Sequence, residues 1–239
     1  MKDYLIDIVR HIVPLGCFDS LRVDGTDKET KLVSTNKDRF AVVMISPHVA
    51  IPEFKGTFGI PNLPLLNTIL NIPEYQDDNA KTTVHLDGTD PVDIMFENPA
   101  GDFKNEFRLI RSNIIDGTQT AIKYNAPNWL STFHPTPAEQ QRLKYQSSAH
   151  PNEKHINFII ENGDIRGAIG DSSSHYGNFI FHSGVDKKAR ANILIPIVIL
   201  NSILALDGDK TICMGDHGMM ISIDSGLATY NYVLPSQNK

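Results

Sequence analysis

The chain contains Leu66-Asn67-Thr68-Ile69-Leu70, and nearly the same five residues return as Leu200-Asn201-Ser202-Ile203-Leu204. An Ile-Pro pair precedes both copies, at residues 60–61 and 195–196, and a β-rich stretch with a tight polar turn follows both. Because the order of helix, hairpin and final strand also matches, a duplicated module explains the pattern better than chance. A small unit multiplied in this way usually presents a surface rather than a catalytic pocket.

The composition is typical of a soluble globular protein, with 239 residues, 41% hydrophobic and 21% charged. This length allows two domains of ordinary size. The longest apolar run, residues 193–206, is interrupted by Pro196, Asn201 and Ser202, and it is shorter than the roughly 20 residues of a membrane helix. Asp3 and Asp7 interrupt the apolar amino-terminal stretch, which is no signal peptide. These features predict a soluble intracellular protein that does not bind membranes.

Cysteine usage and net charge exclude two further classes. The chain has only Cys17 and Cys213, both in strand-like apolar contexts, so neither a disulfide framework nor a cysteine zinc site is expected. The formal net charge of −6 argues against a freestanding nucleic-acid binder, which usually has a basic total. Lysine and arginine are unevenly spread, however, so a local basic face remains compatible with this charge.

Four segments have helical signals. Thr136-Pro137-Ala138-Glu139 is a capping box, in which the threonine hydroxyl accepts from the N3 amide and the glutamate reaches back. Asn62 is a second N-cap candidate, and Pro73 and Gly208 are expected to stop the helices that precede them. The predicted helices cover residues 3–13, 62–72, 136–149 and 196–206.

Strand signals surround these helices in both halves of the chain. The predicted strands are residues 18–23, 30–34, 40–46, 82–86, 92–97 and 103–111 in the first half, and 156–161, 166–170, 178–182, 211–214, 219–224 and 227–234 in the second. Each half therefore reads helix, three strands, helix, three strands. The pattern predicts an α+β fold with antiparallel sheets, whose helices cover one sheet face.

The domain boundary is expected in a segment without clear periodicity, which contains Asp116-Gly117 and Pro127. We predict a first domain at residues 1–112, an interdomain connector at 113–128 and a second domain at 129–239.

This order of elements resembles the DNA sliding clamp family, and residues Gly218–Pro235, GMMISIDSGLATYNYVLP, look like the family's terminal hairpin and tail. The length is closest to the clamps of T4-like bacteriophages. The resemblance implies two topologically similar domains of the DNA clamp fold, with helices lining one face of antiparallel sheets. It also implies a ring of three identical subunits that encircles duplex DNA.

In function, the resemblance implies a non-enzymatic processivity factor without a cofactor. Such a ring slides on DNA in a sequence-independent manner and tethers the replicative DNA polymerase. An ATP-driven clamp loader is an implied partner, and host cytoplasm during phage infection is the implied location. In T4-like phages the family also supports late transcription, and the resemblance leaves open whether this chain does so.

A ring also reconciles DNA binding with an acidic total, because encirclement requires only a locally positive lining. Carried over by position, nine basic residues are expected to contact phosphates, namely Lys2, Arg10, Lys81, Arg142, Lys144, Lys187, Lys188, Arg190 and Lys210. The chain departs from its relatives on the second and fourth helices. Where they often carry Lys or Arg, it has Thr68, Asn71, Val198 and Ala205.

Two protein contacts also follow from the resemblance. Clamps receive a short hydrophobic-aromatic client peptide between their domains, at positions that match Ile114, Ile115, Tyr232, Leu234 and Pro235, with Val43 or Ile45 as the floor. Ring closure pairs edge strands of adjacent subunits, here residues 103–111 and 178–182. The expected interface residues are Phe107, Leu109, Arg111, Phe179 and Phe181.

Two other interpretations remain open. One is a structural or assembly protein that uses the same duplicated β-rich module without DNA. The other is a small hydrolase centred on His175 after Ser172-Ser173-Ser174, although adjacency in sequence does not establish a triad and a polar hairpin loop is favoured. The nine histidines show no metal-binding spacing, so no metal is expected.

Overall fold

The computed structural model of the chain describes residues 1–118, 128–171 and 175–237. The chain divides into two units, one formed by Met1–Arg39, Val43–Lys123 and Ser225–Tyr230, the other by Phe40–Val42, Tyr124–Asp224 and Asn231–Lys239. The predicted connector falls partly on a helix that begins at Ser112 and partly on residues 119–127, which lie outside the described residues.

The first half begins with an amphipathic helix that buries Leu5, Ile8, Val9 and Ile12, at the spacing of one helix face. Its strands form a sheet in the order β8-β4-β1-β2-β3 and a second sheet in the order β5-β6-β7. The elements are α1 Lys2–Ile12, β1 Leu21–Gly25, β2 Thr30–Thr35, β3 Val42–Pro47, β4 Gly56–Ile60, α2 Leu63–Leu70, α3 Pro73–Gln76, β5 Lys81–Asp87, β6 Asp90–Glu97, β7 Lys104–Arg108, β8 Ile110–Arg111 and α4 Ser112–Thr118.

The second half has one sheet in the order β12-β11-β10-β13 and a run of neighbouring strands in the order β16-β15-β14-β9. Its first helix has the predicted capping box, in which Thr136 Oγ1 accepts from the Glu139 amide and Glu139 accepts from the Thr136 amide. The elements are β9 Ser131–Phe133, α5 Pro137–Ala149, β10 His155–Glu161, β11 Asp164–Ile169, β12 Gly177–Ser183, β13 Ala191–Pro196, α6 Ile197–Leu204, β14 Lys210–Gly215, β15 Gly218–Asp224 and β16 Ala228–Pro235.

The two halves repeat one topology. In each, a helix is followed by four antiparallel strands whose spatial order is third, second, first, fourth: β3-β2-β1-β4 and β12-β11-β10-β13. A second helix and a three-stranded meander then follow in both halves. The predicted α+β fold with antiparallel sheets is therefore confirmed, and the repeated five-residue word lies in α2 and α6.

The strand count before the second helix is four, and the prediction of three was wrong. β4 was missed because its sequence, GTFGI, contains two glycines. β13 was missed because only Pro196 separates its apolar residues from those of α6. The predicted strand at 103–111 is two strands, β7 and β8, which pair with different partners. Pro73 begins the short helix α3 instead of simply ending α2.

A buried polar network attaches α1 to the segment that opens the last strand. Tyr230 Oη and Ser225 Oγ each donate to Asp7 Oδ2 at 2.7 Å, and the His11 ring stacks on Tyr230 with centroids 4.3 Å apart. Burial raises the pKa of the Asp7 carboxyl, but hydrogen bonds from His11, Tyr230 and Ser225 outweigh it, and the pKa is lowered from 3.8. The charged carboxylate is thus the stabilising form.

Asp7→Asn is expected to lower the free energy of unfolding at neutral pH by about 1–3 kcal/mol, because a neutral amide accepts the two hydroxyls less strongly than a carboxylate does. Its NH2 group would also replace Asp7 Oδ1, which lies 3.3 Å from His11 Nδ1. Since the pKa of Asp7 is lowered in the folded protein, its contribution is present above the ordinary aspartate pKa and is lost as the pH falls through the folded value. Urea unfolding of both proteins at neutral and acidic pH measures the difference, which should shrink in acid. Asp3→Asn, an exposed change on the same helix, is the control.

Candidate nucleic-acid interface

The helix pair α5 and α6 forms an open groove of about 600 Å³ on the second half of the chain. Its walls include Gln141, Ser148 and Asn201, and Lys144 is the only lysine or arginine among the described residues that line it. Val198 on α6 is 74% exposed. The groove therefore has one basic and one acidic side chain, Lys144 and Glu153, and its walls are both polar and apolar.

The helix pair α1 and α2 has a similarly low charge. α2 buries Leu63, Leu66, Ile69 and Leu70 and has no charged residue, while α1 exposes Asp3 and Arg10. The four uncharged residues noted in the sequence are exposed in the fold. Thr68 lies on α2 and Asn71 just after it, and Val198 lies on α6 and Ala205 just after it.

The two basic residues of α5 are separated by the helix geometry. Because Arg142 and Lys144 are two positions apart, they point to different sides of the helix. Lys144 lines the groove, whereas Arg142 Nη1 donates to the carbonyl oxygen of Ile180 on β12 at 2.8 Å. Of the two, Lys144 is the better placed to contact a ligand in the groove.

Several of the other predicted phosphate contacts already have backbone partners. Arg190 Nη1 donates to the carbonyls of Lys187 and Ala189, both at 2.7 Å, and so folds back on its own loop. Lys2 Nζ donates to the carbonyl of Asp77 at 3.2 Å. Arg10, Lys81, Lys187 and Lys188 are exposed, the last two in the turn between β12 and β13.

Lys210 is tied to the turn that follows α6. Its Nζ donates to the carbonyls of Leu206 at 2.5 Å and Gly208 at 2.8 Å, both of which lie beyond the last residue of the helix, Leu204. Burial lowers the pKa of Lys210, against the opposing effect of Asp207 and Asp209. This contact gives Lys210 a structural role that sequence position alone did not indicate.

The predicted assembly strands are edges of their sheets: β7 ends the order β5-β6-β7, and β12 ends the order β12-β11-β10-β13. Their aromatic side chains, however, face their own cores. Phe107 is 3% exposed, and Phe181 is 1% exposed and packs against Phe133 and Phe158. Phe179 and Leu109 are also buried. Arg111 lies on β8, not β7, and its Nη2 contacts Asp87 Oδ2 at 2.9 Å.

A cluster that sequence reasoning missed connects the start of α5 to β12. His182 Nδ1 lies 2.8 Å from Glu139 Oε1, and the His182 ring stacks on Phe133 with centroids 4.1 Å apart. Burial raises the pKa of Glu139, but hydrogen bonds from Thr136 and His182 outweigh it and lower the pKa. The capping role of Glu139 was readable from sequence, but its partner 43 positions away was not.

The predicted client-peptide positions differ in accessibility. Ile114 is 55% exposed and Pro235 is half-buried. The other five are buried, namely Val43, Ile45, Ile115, Tyr232 and Leu234. Beyond Pro235, the tail is held by hydrogen bonds from the Leu194 amide to Ser236 Oγ at 3.0 Å and from the Gln237 amide to the Leu194 carbonyl at 2.8 Å.

Helix α4, which carries Ile114, is anchored by a buried arginine that the sequence did not reveal. Arg22 is 7% exposed, donates to both carboxylate oxygens of Asp24 and forms an ion pair with Asp116 on α4. Ile115 fills the space above Gly59, where an added Cβ would lie 2.8 Å from its Cδ1. These contacts fix the side on which Ile114 is presented.

Membrane spans and metal centres are two further classes of site that the sequence argued against. No helix in the described part of the chain is long and apolar enough to cross a membrane. Within residues 1–118, 128–171 and 175–237, no group of three or more His, Cys, Asp or Glu side chains could hold a metal ion. Ser172-Ser173-Ser174 lies outside the described residues and His175 is exposed, so the hydrolase interpretation stays a hypothesis.

Solved structures of PCNA, the proliferating cellular nuclear antigen, have the same fold over nearly the whole chain. The Thermococcus kodakaraensis protein matches with a TM-score of 0.68 and 12% identity, over 99% of this chain and 97% of that chain. The A. fulgidus protein, bound to the C-terminal region of FEN-1, gives 0.70 and 13%, over 100% and 97%. The Entamoeba histolytica protein gives 0.70 and 12%, over 98% and 96%.

These likenesses show that the chain has the DNA clamp fold, and at such low identity they show the fold alone. No protein-family model matches the sequence. Comparison with curated protein sequences gives no match either.

Proposed function

We propose that the protein is a sliding clamp, which forms a homotrimeric ring around duplex DNA and tethers the replicative DNA polymerase. One observation carries the proposal: the chain repeats a helix-and-sheet topology, and its fold matches that of PCNA over 100% of this chain and 97% of the A. fulgidus chain. In this proposal residues 1–112 and 129–239 are the two clamp domains, joined by residues 113–128.

The helical faces are proposed to line the hole of the ring. Lys144, Arg10 and Lys2 lie on or beside these faces, whereas α2 and α6 contribute uncharged residues. A weakly positive lining suits sliding, because encirclement already keeps the ring on the DNA. The attraction to phosphates can then be weak, screened by salt and independent of sequence. The total charge of −6 then keeps the rest of the surface away from DNA.

Ring closure is proposed to occur by antiparallel pairing of β7 of one subunit with β12 of the next. Both are sheet edges, and exposed edge strands have backbone donors and acceptors for another strand. Because Phe107, Leu109, Phe179 and Phe181 are buried in their own cores, we expect backbone hydrogen bonds and half-buried side chains such as Ile180 to supply the contact.

A client peptide is proposed to contact Ile114 and Pro235, the two accessible positions of the predicted set. Tethering a polymerase in this way acts by effective concentration, since a held polymerase rebinds before it diffuses away. An assembled closed ring cannot thread itself onto circular DNA, so an ATP-driven clamp loader is the proposed partner that opens it. The same proposal includes three further points: the protein is a clamp of the T4-like phage type, it acts in the host cytoplasm, and it has a role in late transcription.

Sedimentation equilibrium tests the assembly. The proposal predicts a mass three times that of the 26.6 kDa chain. A stable monomer over the micromolar range would contradict ring formation. A trimer that does not stimulate processive synthesis by its polymerase would instead favour the alternative, a structural protein built from the same module.

Lys144→Glu is expected to weaken binding to short linear duplex DNA and to lower the slope of log affinity against log salt by about 0.9 for each phosphate that the side chain neutralised. The reason is that Lys144 lies in the α5–α6 groove, while Lys28 is an exposed lysine in the turn between β1 and β2. Fluorescence anisotropy across a salt series measures both proteins, with Lys28→Glu as the matched control. An equal weakening in the control would mean that the loss reflects total charge and not a contact at the helices.

A further inference from the structure

The two repeats differ at one strand edge. In the second half, β14 pairs with β15 on one side and with β9 on the other, where Phe133 lies opposite Ile212 and Ser131 opposite Met214. The corresponding strand in the first half is β5, which also opens the meander after the second helix. β5 pairs with β6, and no strand in the described part of the chain pairs with its other edge.

The side chains of β5 also differ from those of β14. The two hairpins can be aligned by their turns, since Asp87 pairs with Asp90 and Gly215 with Gly218. Counting back from these pairs places Leu86 at the position of Met214 and Val84 at that of Ile212. Met214 and Ile212 are 0% exposed, whereas Leu86 is 57% exposed and Val84 is half-buried. The first half therefore exposes apolar side chains at positions that the second half buries.

A groove lies beside these side chains. Val84 and Leu86 line an open space of about 380 Å³, together with Pro52 and Lys55 from the loop before β4 and with the turn residue Thr89. The β5 register shifts between His85 and Leu86, but both apolar side chains still face this groove. The groove thus adjoins a sheet edge and has an apolar floor.

We propose that β5 is a strand-addition site for an extended segment of a partner protein, which pairs antiparallel with β5 and places a large apolar side chain on Val84 and Leu86. β9 shows within this chain what such a segment looks like, and we call it the template strand. It is a short strand that pairs antiparallel with β14, and its Phe133 is 6% exposed in that position. In strand addition, backbone hydrogen bonds supply affinity, and pockets for every second side chain supply specificity. The site shares no residue with the proposed client contacts, Ile114 and Pro235.

A second copy of the chain is the less favoured occupant. The extra residue at the register shift is Val92 on β6, so β5 itself alternates regularly and its open edge can pair with an added strand. A second copy would offer β5, KTTVHLD, which has no apolar side chain as large as Phe133. The template strand, Ser131–Phe133, supplies that side chain within three residues.

The test uses a synthetic peptide with the sequence of residues 128–136 of this chain, NWLSTFHPT, and the same peptide with Phe133→Asp. Each is titrated into the isotopically labelled full chain while backbone amide shifts and hydrogen exchange are recorded. We expect the first peptide to protect amides of Lys81–Asp87, and Phe133→Asp in the peptide to weaken binding at least about tenfold.

Leu86→Lys in the protein should weaken peptide binding by a similar factor without changing the unfolding midpoint, because Leu86 is exposed in the chain alone. Leu65→Lys, at a 46% exposed position on α2, is the matched control and should leave binding unchanged. No protection of β5 at millimolar peptide would overturn the proposal. So would protection confined to β14, which would mean that the peptide replaces β9, or concentration-dependent protection of β5 without peptide, which would mean self-association.

Discussion

Ile180→Lys is expected to leave a folded protein that no longer assembles, with trimer association weakened about a hundredfold or more. Ile180 is half-buried on β12, the edge strand proposed to pair with the next subunit, and pairing would enclose its side chain. A lysine there places an unpaired charge in the contact. Arg142, whose guanidinium donates to the Ile180 carbonyl, repels that charge and cannot neutralise it.

Sedimentation across a concentration series measures this effect, and circular dichroism checks the fold. Tyr176→Lys is the matched control, because Tyr176 is 53% exposed and lies one residue before β12. The control should assemble normally. If Ile180→Lys assembles as well as the unaltered protein, β12 is not the edge that closes the ring.

Gly25→Ala is expected to lower the free energy of unfolding by about 3 kcal/mol or more, a large effect for the addition of a single methyl group. An added Cβ would overlap the carbonyl oxygen of Phe54 and lie 2.7 Å from its carbonyl carbon. The backbone of residue 54 has little freedom to move, because its amide donates to the Ile51 carbonyl at 2.9 Å. The Phe54 ring is fully buried against Phe58.

Urea unfolding of Gly25→Ala and Gly117→Ala measures the contrast. Gly117 lies in α4 with nothing within 4 Å of its added Cβ, so alanine there should be neutral or stabilise by up to about 1 kcal/mol. A decrease below about 1 kcal/mol at Gly25 would mean that the loop before β4 can shift, and that the close approach of β1 to it is not required.

The repeat, the four long helices and most strands could be predicted because their signals are local. Helix α1 has apolar residues at i, i+3, i+4 and i+7, and α5 has its capping box. The elements that were missed depend on contacts distant in sequence. β9 is only three residues long and exists through its pairing with β14, and α4 contains Gly117, a poor helix former, but is anchored by Arg22.

The candidate site was less predictable than the fold. Sequence position can place a lysine near a helix but cannot show where its ammonium points, as Lys144 and Lys210 illustrate. The first lines a groove, and the second donates to carbonyls of the turn after α6. In the same way, Phe179 and Phe181 alternate correctly for a strand, but only the packing shows that both face their own core. That one edge of β5 has no neighbouring strand, whereas β14 has strands on both sides, follows only from the sheet order of the described residues.

The most direct test of encirclement compares how well the protein is retained on circular and on linear duplex DNA. Dissociated subunits are mixed with nicked circular plasmid, allowed to assemble, and passed over a sizing column at about 0.5 M salt, where phosphate attraction is largely screened. A topologically linked ring should elute with the circles and be released when a restriction enzyme linearises them. Equal retention on both forms, or none on the circles, would contradict a protein that surrounds its DNA.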